Sequence, residues 1–272
     1  FRHSFPTRRS SDLECALICE SLEELSPKRF ALSFDNVGLL VGRYDKDVKT
    51  IYIALDATDE VIDAAIECEA DMLITHHPMI FSAIKSVRAD DFIGRRILKL
   101  AKYDISYYAM HTNFDVMGMA DAAADEIDLI ERDVLQVTYE DEIGAEGIGR
   151  IGRLREEMSL IELCDFVKER FMLDTVKVFG DPDRLCNICA ISPGSGKSMI
   201  KYAIEKGADV IITGDIDHHE GIDSVAQGLC VIDAGHFGIE KIFVPYMEEF
   251  IRREMPEIKV YTHEMTSPFM VL

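Results

Sequence analysis

What the chain is short of sets the first limits. No stretch of the 272 residues reads as a membrane-spanning run or as the apolar core of a secretory signal. Positive charge is scarce: 29 Lys and Arg stand against 50 Asp and Glu, a formal charge of −21. A chain of that sign repels nucleic-acid polymers and anionic membranes, but a single nucleotide whose phosphates are held by metals remains compatible with it. Prolines number only eight and 48% of residues are hydrophobic, which excludes disorder and implies a packed globular chain. Seven cysteines, an odd number, make no disulfide framework and point to a reducing, cytoplasmic setting. Cys186 and Cys189 have redox or zinc spacing, yet no second pair accompanies them and the surrounding LCNICAISPG is strand-like. They are read as core or strand-face residues. PGSGKS at 193–198 lacks the first glycine of a phosphate-binding loop, because Ile191 stands five residues before Gly196. Its glycines are expected to turn the chain tightly beside the functional cleft.

The first 13 residues are set aside. HSFPTRRSSDL at 3–13 is a one-frame translation of a common sequencing adapter, and the chain does not open with Met. This segment is expected to be an artefact, and His3 to carry no function. Arg2, Arg8, Arg9 and Asp12 contribute a net +2, so the rest of the chain carries −23.

The remainder repeats itself. AIECEADMLIT at 65–75 aligns with AIEKGADVIIT at 203–213, an offset of 138 residues (Ala65 to Ala203), with seven of eleven positions identical. Each copy follows a strand-like segment, IYIALDATDE or ICAISPGSGKS, and precedes another that ends on a histidine, ISYYAMH or LCVIDAGH. The spacing predicts an α/β protein of two related halves, residues 14–140 and 158–272, facing a metal-binding cleft. The Gly-rich, charged stretch at 141–157 is expected to connect them, with a helix over MSLIELCDFVKERF at 158–171.

Histidines gather at the ends of these strands. Met72-Leu73-Ile74 is a short apolar run after an amphipathic helix, which suits a strand buried on both faces of a parallel sheet, and His76-His77-Pro78 follows it. Ligands bind beyond the carboxyl ends of such strands. Adjacent side chains on extended backbone diverge, so the two rings are expected to serve different centres. His111 and Asp115 in HTNFD, and His236 and Glu240 in GHFGIE, are each spaced i, i+4, which places a pair on one face if a helix opens there. Imidazole with carboxylate suits zinc, manganese, iron, cobalt or nickel, and more than four ligands imply two metals. Asp56, Asp215, Asp217, His218 and His219 stand nearby in sequence as supporting groups. His263, after the strand-like IKVYT, is read as surface or structural.

Taken in order, SFDNVGLLVG, ITHHPMIF, HTNFD, GSG, TGD…HH and DAGHFGIE make the chain resemble the dinuclear-metal-centre hexamer family, the Nif3-like GTP cyclohydrolase 1 type 2 homologues, in its short form. The resemblance covers nearly all of 14–272. It implies a toroidal homohexamer with two divalent ions per chain, held by His76, His77, Asp115, His236 and Glu240, the last bridging them. It also implies His111 and His219 as catalytic groups that move protons. Two departures stand out: Asp215 where Glu is expected, and TSPFMVL without an Asp-x-Asn lead-in. The expected activity is hydrolysis of a nucleotide-like small molecule, with guanine C8 of a GTP-like substrate as the point of attack. A non-enzymatic metal carrier or adaptor is the alternative, and phosphoester hydrolysis of damaged nucleotides a third reading.

Overall fold

A computed structural model describes residues 13–270. Most of the adapter-like stretch, His3 included, lies outside the described residues, while Leu13 pairs with Val48 in a two-residue strand. The chain forms two compact units. The first takes residues 13–28, 34–111 and 244–264; the second takes 29–33, 112–243 and 265–270.

The first unit is built on a five-stranded sheet. Thr50–Ala54, Met72–Thr75 and Ser106–Ala109 lie side by side in parallel. Gly38–Val41 closes one edge antiparallel, and Lys259–Thr262 joins Thr50–Ala54 in parallel at the other. Every residue of Met72–Thr75 and Ser106–Ala109 is buried, as expected of parallel strands covered on both faces. Helix Asp59–Glu67 begins where the Thr58 hydroxyl accepts from the Val61 N–H, and it turns Val61, Ile62 and Ala65 into the core. The IKVYT strand was expected in the second half of the chain. It belongs instead to the first sheet, where its four residues complete an edge that Thr50–Ala54 would otherwise leave open. His263 follows it, and its Nδ1 lies 2.9 Å from the Tyr52 hydroxyl, a structural contact.

The second unit carries a six-stranded mixed sheet in the order Ile130–Glu140, Ala145–Ser159, Leu185–Ser195, Val210–Gly214, Cys230–Asp233, Lys177–Phe179. Leu185–Ser195, Val210–Gly214 and Cys230–Asp233 run parallel, and the other neighbours are antiparallel. The 138-residue offset carries Ile51 onto Cys189 and Met72 onto Val210. Ile51 opposes Met72 in its sheet, and Cys189 opposes Val210 in the other.

The stretch expected to connect two halves, 141–157, is mostly strand: Ala145–Ser159 pairs on both sides. Its glycines mark close approach of neighbouring backbones rather than a linker. A Cβ at Gly149 would lie 2.8 Å from the Ile191 carbonyl, and one at Gly152 would lie 2.5 Å from the Ile130 carbonyl. The expected helix follows as Leu160–Arg170, opened by a capping box between Ser159 and Glu162. Cys186 and Cys189 are buried in the core on Leu185–Ser195, all seven cysteines are free, and burial pushes the Cys189 thiol up, away from reactivity. Among the described residues no helix is long and apolar enough to cross a membrane.

Arg150 ties the long hairpin to the helical segment that carries Asp115. Its guanidinium donates to the carbonyls of Gly147, Gly149 and Val116 and to both Asp121 oxygens, at 2.7–3.3 Å. The side chain is almost wholly buried. Arg150→Ala is expected to lower the unfolding free energy by about 2–4 kcal/mol, since three carbonyls and a carboxylate lose a charged donor. Urea denaturation measures this, with Arg155→Ala, an exposed control, changing stability by about 1 kcal/mol or less.

Candidate metal centre

In the first unit three imidazoles converge beyond the carboxyl ends of adjacent parallel strands. His76 and His77 follow Met72–Thr75, and His111 follows Ser106–Ala109 by two residues. Their ring centroids are 4.9–5.6 Å apart, and one nitrogen from each lies within 4.8 Å of the other two. Extended backbone sends adjacent side chains to opposite sides, and the two histidines accordingly take partners from opposite neighbours. His76, fully buried, sets its Nδ1 2.7 Å from the Met110 carbonyl, beyond the strand on one side. His77 sets its Nδ1 2.8 Å from Asp56 Oδ1, beyond the strand on the other. His111 sets its Nδ1 2.9 Å from Asp35 Oδ1, and the Asp35 carboxylate is wholly buried.

Two hydrogen-bond networks hold the turn after Thr75. The Tyr107 hydroxyl donates to the His77 carbonyl and accepts from the Met79 N–H, at 3.0 and 2.8 Å. The Thr75 hydroxyl donates to the same carbonyl. Burial pushes Tyr107 up to about 12, so the phenol keeps the proton it donates. Asn36 Nδ2 donates to the Ile80 carbonyl at 2.6 Å. The Asp35-Asn36 pair of SFDNVG is thus wired to both His111 and the segment after His77. Its partners are 76 and 44 residues away, so no local spacing signals them.

The second unit repeats the device with different residues. Asp215 follows Val210–Gly214, and its Oδ2 is 2.8 Å from His236 Nδ1, which follows Cys230–Asp233. In both units the anchoring aspartate precedes its histidine by 21 residues. His236 opens a helical turn, His236–Glu240, whose i, i+4 spacing places Nε2 2.9 Å from Glu240 Oε2. Glu240 is buried, and a carboxylate oxygen of Asp115 comes within 4.8 Å of one of its own. Gly194, at φ +73°, permits this packing: a Cβ there would sit 2.5 Å from Glu240 Oε1. Of the two GSG glycines, Gly194 therefore makes room for Glu240, while Gly196 packs against the Thr213 side chain. Asp233, not singled out from sequence, accepts from the N–H groups of Ile216 and Gly235 and so fixes the backbone beside Asp215 and His236. Asp115 sits at the start of a π-helical turn, Asp115–Met119, a form of helix enriched at functional sites.

The donor sets suit a divalent cation. An ion with bonds of about 2.0–2.2 Å holds its ligands roughly 3–4 Å apart, and His236 Nε2 and Glu240 Oε2 are 2.9 Å apart while the three imidazoles offer nitrogens within 4.8 Å of one another. An acceptor on Nδ1 keeps the proton there and turns the Nε2 lone pair outward, the arrangement typical of metal-bound histidine. His218 and His219 are not among the clustered donors. They lie exposed on helix His218–Ala226, and His219 lines a surface cavity of about 490 Å³ with Lys197 and Glu220. Their TGD…HH spacing placed them near the site, but the helix they open carries them to its exposed side.

Asp56→Asn and Asp215→Asn are each expected to weaken zinc or manganese binding about 10–100-fold with the fold intact, since each removes the acceptor that orients a histidine. Chelator competition measures the affinity, and circular dichroism the fold.

The family model described as Duf34/NIF3 (NGG1p interacting factor 3) matches residues 13–268. A Clostridium acetobutylicum protein named "GTP cyclohydrolase 1 type 2 homolog" is 35% identical over 252 residues, 92% of this chain and 94% of that one. The crystal structure of a Bacillus cereus protein related to NIF3 superposes with a TM-score of 0.86 at 25% identity, covering 96% of this chain and 99% of that one. Reduced HcgD from Methanocaldococcus jannaschii gives 0.79 at 30% identity, with 92% and 98% covered.

Proposed function

The chain belongs to the Duf34/NIF3 family, and we propose that it is a dinuclear metal-dependent hydrolase acting on a nucleotide-like small molecule. The observation that carries this is the common state of four imidazoles: His76, His77, His111 and His236 each set Nδ1 against a carboxylate or carbonyl at 2.7–2.9 Å. A surface histidine has no need of that arrangement. The residues that would hold the ions are His76, His77, Asp115, His236 and Glu240. Two divalent ions so held would supply Lewis-acid polarisation and an acidified water.

The chain's own groups do the rest. Asp56 and Asp215 keep their histidines in the ligating tautomer. His111 moves the proton: the buried Asp35 carboxylate lies against its Nδ1 and orients the ring, which stands against His76 and His77. For a GTP-like substrate, water adds at guanine C8, the ring C–N bond opens, and His111 passes a proton to the departing nitrogen. This substrate class follows from the name carried by the Clostridium acetobutylicum relative. His219, the other group expected to move a proton, stands exposed and outside the clustered donors. A homohexamer in the cytoplasm completes the proposal, and seven free cysteines are what a reducing compartment maintains.

Metal analysis of purified wild type and Glu240→Ala, with GTP turnover by metal-replete protein, tests this. Near two ions per wild-type chain, lost in the variant, together with ring-opening of GTP are expected. Two ions without turnover of GTP or related nucleotides would favour a metal carrier. No ion after reconstitution would overturn the centre itself.

A further inference from the structure

Two large aromatic side chains stand exposed beside the histidines of the first unit. Phe34 is 59% and Phe81 50% exposed, with ring centroids 6.0 Å apart. The Phe81 ring is 6.2 Å from the His111 imidazole, edge to face. Neither is a loose surface residue. Phe34 precedes Asp35, whose carboxylate holds His111, and Phe81 follows Ile80, whose carbonyl receives the Asn36 amide. The hydrogen bonds that set His111 therefore also set the two rings. Paired apolar rings exposed at the rim of a polar site mark a binding surface.

We propose that Phe34 and Phe81 form a platform for a planar heteroaromatic ring, holding a nucleobase by its face next to His111. Aromatic faces attract the flat faces of bases whatever the base, whereas a sugar or a polyphosphate gains nothing from them. The imidazoles alongside meet the polar edge of such a ring, which an aliphatic ligand does not have. This inference rests on the reading of the site as one for a nucleotide-like substrate, and it adds the residues that hold the base by its face.

The chain has no tryptophan, so Phe34→Trp places a single indole reporter at the platform. In metal-replete full-length protein, guanosine and GTP are expected to quench it saturably and tripolyphosphate is not. Adding Phe81→Ala should weaken guanosine binding by about tenfold or more, the loss typical of one stacking partner, with metal content unchanged. Calorimetry of guanosine with wild type and Phe81→Ala repeats the comparison without the reporter. No guanosine binding, equal response to tripolyphosphate, or an unchanged affinity in Phe81→Ala would overturn the platform. So would a Phe34→Ala/Phe81→Ala variant whose assembly falls apart in light scattering, which would assign the rings to a contact with a second copy. Guanosine binding without metal uptake would contradict the hydrolase while leaving the platform. Two bound ions without guanosine binding would do the reverse.

Discussion

The hydrogen bond from histidine Nδ1 to a fixed acceptor is the interaction on which the rest of the site depends. An imidazole can present either nitrogen, and only a partner on one of them decides which. Here four rings make the same choice, three against aspartates and one against a main-chain carbonyl. The acceptors are placed in their turn. Asp35 is buried, Met110 is fixed by its N–H bond to the Thr75 carbonyl, and Asp56 and Asp215 each sit just past a strand end.

The parallel strands make this placement possible. Adjacent parallel strands end at the same level, so a residue just past one strand reaches a residue just past the next. His77 with Asp56 and His236 with Asp215 are two instances of one geometry. The turn backbones are then stiffened by single buried polar groups, Tyr107 in one unit and Asp233 in the other. A ligand on such a turn is oriented before a metal arrives, so little ordering remains to oppose binding.

Much of this was legible in the sequence. MLIT and SYYA read as buried strands, and the histidines after them as strand-end residues, because apolar runs and their boundaries are local signals. The 138-residue repeat exposed the common strand–helix–strand order for the same reason. Three features were not legible. The Asp35–His111 and Asn36–Ile80 bonds join residues far apart in sequence, and nothing local distinguishes such a pair from packing. The glycines at 147, 149 and 152 look like linker residues, yet they are spacers where strand backbones meet. IKVYT reads correctly as a strand, but its pairing with Thr50–Ala54 is a matter of topology rather than of composition.

The most direct test of the central claim is anomalous diffraction from crystals grown with zinc or manganese, collected at the metal edge. The account predicts strong peaks at about 2.0–2.2 Å from the Nε2 atoms of His76, His77 and His236, with every Nδ1 still on its present acceptor. Peaks bonded to Nδ1, or metal found only on the acidic surface away from these histidines, would contradict it.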